Sequence, residues 1–535
     1  MPAADYLYFV ERSLRGMLAI AEELGDELAC TRPDLPGANT AYGLITHCLG
    51  VVEYWAGHLV AGRPSYRDRP AEFAATGTVA ELAAAVDSGL RRLAEDTSAA
   101  SSTAAPLNTA DADFLGPERE LTVGGVLFHV FEEVSQHYGQ LEVLRDALRD
   151  DVARRELPFA PSLPWLRAKR GVKWRRPGAE LIPAWVADMD FPVAEPIRRA
   201  ITGVLDRGDL GYPDWDGHPL ADAFAQRMSD RYGWTPDPAH VRGVTDIIQS
   251  LQIVTDLATA PHERVVLQTP NYPPFRASIP GMVRQVVPLH VEPSGDGWGW
   301  DLQRLEDELR AAPARLLLLV NPHNPTGHVY SRAELSELAE LVLRHDLIVV
   351  ADEIHAELAY EPHVHVPFAS LGPEIAARTV TVTSATKAFN IAGVRTAVAH
   401  VGPRELRARW DAQPPDLYGV ASVLGVEATL AAWRDCGGWL DDLRVHLAAQ
   451  RELLTQRLAQ LPVRFRPPDA TYLAWLDWTP AGLPTDAADF FREKARIELS
   501  PGPDYGAADA FARLNFACST ALLTEILDRM QAAVS

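Results

Sequence analysis

Thr383-Ser384-Ala385-Thr386-Lys387-Ala388-Phe389-Asn390 carries one of only four lysines in a chain with 46 arginines. A composition that has exchanged nearly every lysine for arginine keeps the remainder where arginine cannot serve. The clearest such task is condensation with an aldehyde, open to a primary amine and closed to a guanidinium. Two further segments lie upstream, Asn321-Pro322-His323-Asn324-Pro325-Thr326-Gly327 and Ala351-Asp352-Glu353-Ile354-His355, each at the end of an apolar run. Leu316 to Val320 and Leu347 to Val350 read as buried parallel strands. Asn324 and Asp352 then fall just past strand C-termini, where α/β sheets bind ligands.

The ordered trio reads as a pyridoxal 5'-phosphate site. Lys387 would hold the cofactor aldehyde and then move protons at the substrate α-carbon. Asp352 would keep the ring nitrogen protonated, so that the ring accepts electrons. Asn324 would hydrogen-bond the phenolic oxygen. Tyr272, in Thr269-Pro270-Asn271-Tyr272, is placed to stack on the ring, and Arg395 to fork onto the phosphate. Thr245 and Asp246 precede a helix whose N-terminal amides suit the same phosphate. His355 and Ser384 lie within the motifs and join the cofactor-binding set. Arg513, in Ala512-Arg513-Leu514-Asn515-Phe516, is placed to clamp an amino-acid carboxylate.

Length and composition agree with this reading. A chain of 535 residues is long enough for three or so lobes, and 47% apolar with 23% charged residues is ordinary globular material. A net charge of −22 argues against a nucleic-acid or anionic-membrane surface. Cys30, Cys48, Cys436 and Cys518 are widely spaced, so disulfides and thiolate zinc sites are not expected. Asp5 and Glu11 stand where a secretory leader needs a basic start and an apolar run, and no apolar stretch reaches membrane-spanning length. The setting expected is cytoplasmic.

The first 150 residues differ from the rest. Amphipathic stretches at about 3–27, 40–61, 78–96 and 121–149 predict a four-helix bundle over 1–152, with 11 basic against 23 acidic residues in 1–150, a net of −12. A basic strap rich in Pro and Trp, residues 153–176, reads as a solvated connector wrapping the next domain. Beyond it strands and helices alternate, which implies a mainly parallel sheet covered by helices. The unit from 177 to 535 divides into a large domain at about 206–410 and a small domain made of 177–205 and 411–535.

Residues from about 160 to 535 resemble the MalY/PatB-type cystathionine β-lyases, a carbon–sulfur lyase branch of fold-type I pyridoxal-phosphate enzymes. The resemblance rests on Trp185-Val186-Ala187-Asp188-Met189-Asp190-Phe191, Gly211-Tyr212, the Asn321–Gly327 loop, Asp352–His355, Lys387 with Phe389-Asn390-Ile391, Thr471–Asp477 and Arg513-Leu514-Asn515. It implies a homodimer with Tyr212 reaching the neighbouring subunit's cofactor phosphate, and Asp188 and Arg513 at the substrate. It also implies β-elimination from a cysteine S-conjugate, releasing thiol, pyruvate and ammonia. One departure matters: Arg395 occupies the phosphate position typical of aminotransferases, where several lyases of this branch lack arginine. Transamination, with the bundle as a non-catalytic binding domain, therefore stays open.

In the bundle, His47 lies mid-helix, and His129, Glu133 and His137 recur every four residues along one face of the last helix. His47 with Glu133 and His137 makes a three-ligand facial site for a divalent metal. Residues 1–150 resemble the DinB superfamily, particularly its mycothiol-dependent transferase and maleylpyruvate isomerase members, through the His47 segment ending in Glu53-x-Trp55 and through Glu133-x3-His137-x-Gly139-Gln140. The resemblance implies zinc on His47, Glu133 and His137, and activation of a low-molecular-weight thiol such as mycothiol. Some relatives carry histidine where this chain has Glu133. His58 and His129 are candidates for an outer or solvated role, and Cys48 for packing. The two resemblances together predict a bifunctional enzyme that both makes and breaks carbon–sulfur bonds.

Overall fold

The structure is a computed structural model that describes residues 3–33, 35, 37–111, 119–156, 159–215, 217–295, 297–414 and 417–535. It divides into two units, Met1–Pro158 and Phe159–Ser535. Residues 157 and 158 of the expected strap lie outside the described residues.

Helices α1 (Ala3–Ala29), α2 (Ala41–Val51), α3 (Val79–Thr97) and α4 (Val123–Glu156) build the first unit. Each buries one apolar stripe: Val10, Leu14 and Met17 from α1, Leu44, Ile45 and Cys48 from α2, Leu82, Val86 and Leu93 from α3, Val126, Val130 and Val134 from α4. Thr40 caps α2, and a reciprocal Thr78–Glu81 box caps α3. The second amphipathic stretch is not one uniform helix. From Val52 to Val60 the hydrogen bonding widens to a π-helical turn, and the Ala61 amide reaches back to the Ala56 carbonyl. Such widening often accompanies functional positions. A short helix, Arg69–Ala74, capped by Asp68, follows where the periodicity predicts none. The last helix also runs further than expected, so residues 153–156 belong to it rather than to the strap.

The second unit is organised around eight strands: β1 (Val241–Val244), β2 (Arg264–Thr269), β3 (Gln285–Ser294), β4 (Gly297–Trp300), β5 (Leu316–Val320), β6 (Ile348–Asp352), β7 (Thr379–Thr383) and β8 (Ala397–Val401), in spatial order β1-β8-β7-β6-β5-β2-β3-β4. The middle five are parallel, whereas β8, β1 and β4 pair antiparallel with their neighbours. β5, β7 and β8 are buried along their whole length, as a sheet covered on both faces requires. The register opposes Val320 to Asp352 and Asp352 to Val382. The segments 321–327, 353–355 and 384–390 therefore leave the same sheet edge side by side.

A second sheet, β9 (Arg464–Phe465), β10 (Leu473–Asp477), β11 (Ser500–Pro501) and β12 (Phe511–Asn515), has the order β9-β10-β12-β11. Arg513 sits in the interior strand β12, opposite Trp475 on one side and Ser500 on the other. Alternation along β12 sends Arg513 and Asn515 to one face and Ala512 and Leu514 to the other.

Candidate functional site

The strand ends meet at Lys387. Its amine donates to the Ala187 carbonyl at 2.7 Å, and the Tyr472 hydroxyl donates to the same oxygen at 3.0 Å. Burial lowers the Lys387 pKa, Asp188 and Asp352 oppose that shift, and Arg513 adds to it. At the end of β6, Asp352 is buried and one carboxylate oxygen accepts from the Ile354 amide at 3.1 Å. Burial pushes its carboxyl up to about 7. His355, also buried, is driven down to about 3 by burial and by the nearby charges of Lys387 and Arg513, so it is a neutral ring.

Arg513 is only 2% exposed. Its two terminal nitrogens donate to Asn324 Oδ1 at 3.0 Å and to the Trp185 carbonyl at 2.8 Å, and its guanidinium lies 5.0 Å from the Tyr505 ring centre. Asn324, Asp352, His355, Lys387, Arg513 and Asp188 thus share one region, and Tyr272 is electrostatically coupled to Arg513, Asp352 and Asp188. Gly327, closing the Asn324 loop, has φ of 74°, and a Cβ there would lie 2.3 Å from Pro468. Only glycine allows that approach.

A second cluster lies at the N-terminus of the helix Ile247–Ala258. Asp246 caps it, and Arg395 makes an ion pair with Asp246 while remaining 64% exposed. Thr245 donates to Gln249 at 3.0 Å, and Ser384 donates to the Thr396 carbonyl at 2.6 Å. The hydroxyl of Ser384 is thus committed to the backbone just before β8, and that of Thr245 to the helix. Tyr212 is fully exposed in the single chain.

The strap differs from its expected role as a solvated connector. Lys173 is buried, pairs with Asp190 at 2.9 Å and donates to the Asp188 carbonyl at 3.0 Å. Trp174 donates to the Asp190 carboxylate at 2.6 Å, and Lys169 donates to the Asp190 carbonyl at 3.0 Å. Asn515 holds the carbonyls of Val186 and Asp188, and Asn390, at φ of 56°, holds those of Met189 and Phe191. The segment 185–191 under Lys387 is therefore fixed from several sides. Lys169, Lys173, Trp174, Tyr472, Asn390 and Asn515 are groups to which the sequence assigns no role.

Pyridoxal phosphate fits these residues. Among the described residues, the buried Nδ1 of His355 and Nε of Arg513 lack hydrogen-bond partners, a primary amine and a buried carboxylate flank them, and a helix N-terminus with an arginine stands ready for a phosphate. The arrangement of sheet, lysine and carboxylate is that of a fold-type I pyridoxal-phosphate enzyme.

In the first unit, His47, Glu133 and His137 offer three ligand atoms within 4.8 Å of one another. His47 Nδ1 donates to Glu72 at 2.8 Å, and His137 Nδ1 donates to the Gln140 side-chain oxygen at 2.9 Å. Each ring is thereby left with Nε2 as its free lone pair. Two imidazoles and one carboxylate are a donor set that zinc accepts. Burial opposes ionisation of Glu72, but His47 and Arg67 outweigh it and hold the carboxyl below its usual range. His58, half-buried, turns instead to the Arg63 carbonyl at 2.6 Å, and His129 is buried edge-on to Trp55 rather than solvated. Cys48 is buried in the bundle core.

Two families match this chain: aminotransferase class I and II over residues 187–530, and mycothiol-S-transferase over residues 6–150. Cystathionine beta-lyase PatB of Bacillus subtilis is 35% identical over 377 residues, covering 68% of this chain and 97% of that protein. The cystathionine beta-lyase of Corynebacterium glutamicum is 31% identical over 371 residues, covering 69% and 98%. Among solved structures, OvoB superposes with a TM-score of 0.66 at 36% identity over 69% of this chain and 97% of its own. The pyridoxal-phosphate-bound C-S lyase of Staphylococcus hominis gives 0.66 at 28% identity over 69% and 96%. The chain belongs to the aminotransferase class I and II family, on its cystathionine β-lyase branch, with a mycothiol-S-transferase domain at its N-terminus. Among the described residues, no helix is long and apolar enough to cross a membrane.

Proposed function

We propose that the second unit cleaves the Cβ–S bond of cystathionine-like cysteine S-conjugates, consuming water and releasing a thiol, pyruvate and ammonia. The observation that carries this reading is the convergence of Lys387, Asp352, Asn324 and Arg513 at one sheet edge, in a chain 35% identical to a cystathionine beta-lyase over nearly that protein's whole length. Bound pyridoxal phosphate supplies an aldehyde and an electron sink in conjugation with the substrate α-carbon. Arg513, oriented by Asn324 and the Trp185 carbonyl, binds the substrate carboxylate. Lys387, with a lowered pKa, takes the α-proton, and the Cβ–S bond breaks with its electron pair leaving on sulfur. Asp352 would supply the negative charge for the ring nitrogen, Tyr272 would stack on the ring, and Asp188 would serve the substrate side. Thr245, Asp246, Ser384 and Arg395 would hold the phosphate. Tyr212, exposed on each chain, supports a homodimer in which it completes the other subunit's phosphate site.

The first unit holds a divalent metal, zinc, on His47, Glu133 and His137, and takes a low-molecular-weight thiol of the mycothiol type. A dication there supplies electrostatic stabilisation of a thiolate at neutral pH. The fusion then joins a former and a breaker of carbon–sulfur bonds in one cytoplasmic protein.

The Arg395–Asp246 pair favours one second reading, an aminotransferase. Purified protein given L-cystathionine without a 2-oxo acid separates the two. Sustained pyruvate and thiol from wild type and none from Lys387→Ala support the lyase, whereas conversion of the cofactor to its amine form without pyruvate supports the transaminase.

A further inference from the structure

We infer that Glu72 is a positioning residue that presents His47 to the metal, an inference that rests on reading His47, Glu133 and His137 as a metal site. His47 and Glu72 are both buried, and the bond between them is 2.8 Å. A neutral imidazole has one N–H. Committing it to a carboxylate fixes the ring's rotation, leaves Nε2 as the donor and raises that nitrogen's basicity. Phe73, stacked 4.3 Å from the ring, restrains the same rotation from the other side.

The carboxylate is itself held. Arg67 forks onto it, Nε to Oε1 at 2.8 Å and Nη2 to Oε2 at 3.1 Å. This pair is neutral as a unit, so the charge offered to a metal is set by Glu133. A dication with Glu133 keeps one positive charge, which a single thiolate cancels.

Helix α2 is also bare where Glu72 enters. A Cβ at Gly50, one turn beyond His47, would lie 1.9 Å from Glu72 Oε1 and 2.5 Å from its carboxyl carbon. Gly50 therefore makes room for the carboxylate that orients the ligand on its own helix. Glu72 comes from the short helix Arg69–Ala74, between the two ligand-bearing helices in sequence.

The test uses the full-length protein stripped with a chelator, with Zn2+ affinity measured by competition against a chromophoric chelator and the visible spectrum of bound Co2+ as a second readout. Glu72→Gln and Gly50→Ala are expected to weaken Zn2+ by about 10–100-fold and to alter the Co2+ bands at unchanged 1:1 stoichiometry, and Glu72→Gln to lower the melting temperature of the metal-free protein as well, because it leaves Arg67 buried without its carboxylate. Gly50→Ala leaves every ligand and charge in place, so it carries the test if Glu72→Gln folds poorly. Wild-type affinity in both variants, with binding lost in His47→Ala, would overturn the inference while leaving the metal site standing. Equal behaviour of wild type and His47→Ala would overturn the metal reading and the role of Glu72 with it.

Discussion

Lys387 and Tyr472 donate to a single acceptor, the carbonyl oxygen of Ala187, at 2.7 and 3.0 Å. The amine is therefore positioned by main chain, and that main chain is fixed through Asn515, Asn390 and Lys173. A peptide carbonyl holds the amine without forming an ion pair, so the pKa is free to fall with burial.

Lys387→Arg retains the charge but removes the primary amine, and pyruvate release from L-cystathionine is expected to vanish as completely as in Lys387→Ala. Tyr472→Phe removes one hydrogen bond worth about 1 kcal/mol, and a kcat loss of roughly 10-fold or less is expected in the same coupled assay.

Arg513→Lys keeps a cation but loses the planar fork. KM for L-cystathionine is expected to rise by about 10–100-fold, or about 1.4–2.8 kcal/mol, with kcat changed less. Steady-state kinetics at saturating cofactor would decide; an unchanged KM would remove Arg513 from the substrate carboxylate.

Lys173→Met leaves the Asp190 carboxylate buried without its cation. The cost expected is about 3–5 kcal/mol, read as a lower urea midpoint for the second unit. Because Asp188 and Ala187 belong to the same held segment, the folded fraction of this variant should also show weakened turnover.

His328 offers a pH test. Burial alone would depress it, but the bonds to Asp469 at 2.8 Å and Glu334 at 3.4 Å outweigh burial and hold it up at about 9. A folded pKa above the ordinary 6.5 means that the stabilisation is complete below about pH 6.5 and is lost as pH rises through 9, while both carboxylates, held low, stay ionised. The full difference is at most about 3 kcal/mol. The melting temperature is expected to fall between pH 6.5 and 9, and to fall less in His328→Gln.

Asp352 and Asn324 were legible because each follows a continuous apolar run, which marks the end of a buried parallel strand, and Lys387 because lysine is scarce in this chain. The lysine scarcity that marks Lys387 marks Lys169 and Lys173 equally, yet a stretch dense in arginine and proline reads as solvated. Their burial against Asp188 and Asp190 depends on how residues 163–176 fold back, which local periodicity does not encode. Only Lys494 of the four lysines is an exposed surface residue. Strands β1 and β4 escaped for a related reason, since four-residue segments holding one or two glycines carry too short a pattern to announce a strand.

The amino-acid sequence by itself determined the helical first unit, the alternating second unit, the lysine, carboxylate and amide that follow the strand ends, and the i,i+4 pair Glu133–His137. All of these follow from spacing along one element or from residue types with one chemical use. Tertiary structure alone decided that Lys387 rests on the Ala187 carbonyl, that Arg513 leans on Asn324 from another sheet, that Ser384 is committed to the Thr396 carbonyl, and that Glu72 bonds to His47. Those contacts join residues 12 to about 200 positions apart. Their geometry is set by strand register and by the space a glycine leaves, and neither quantity exists until the chain has folded.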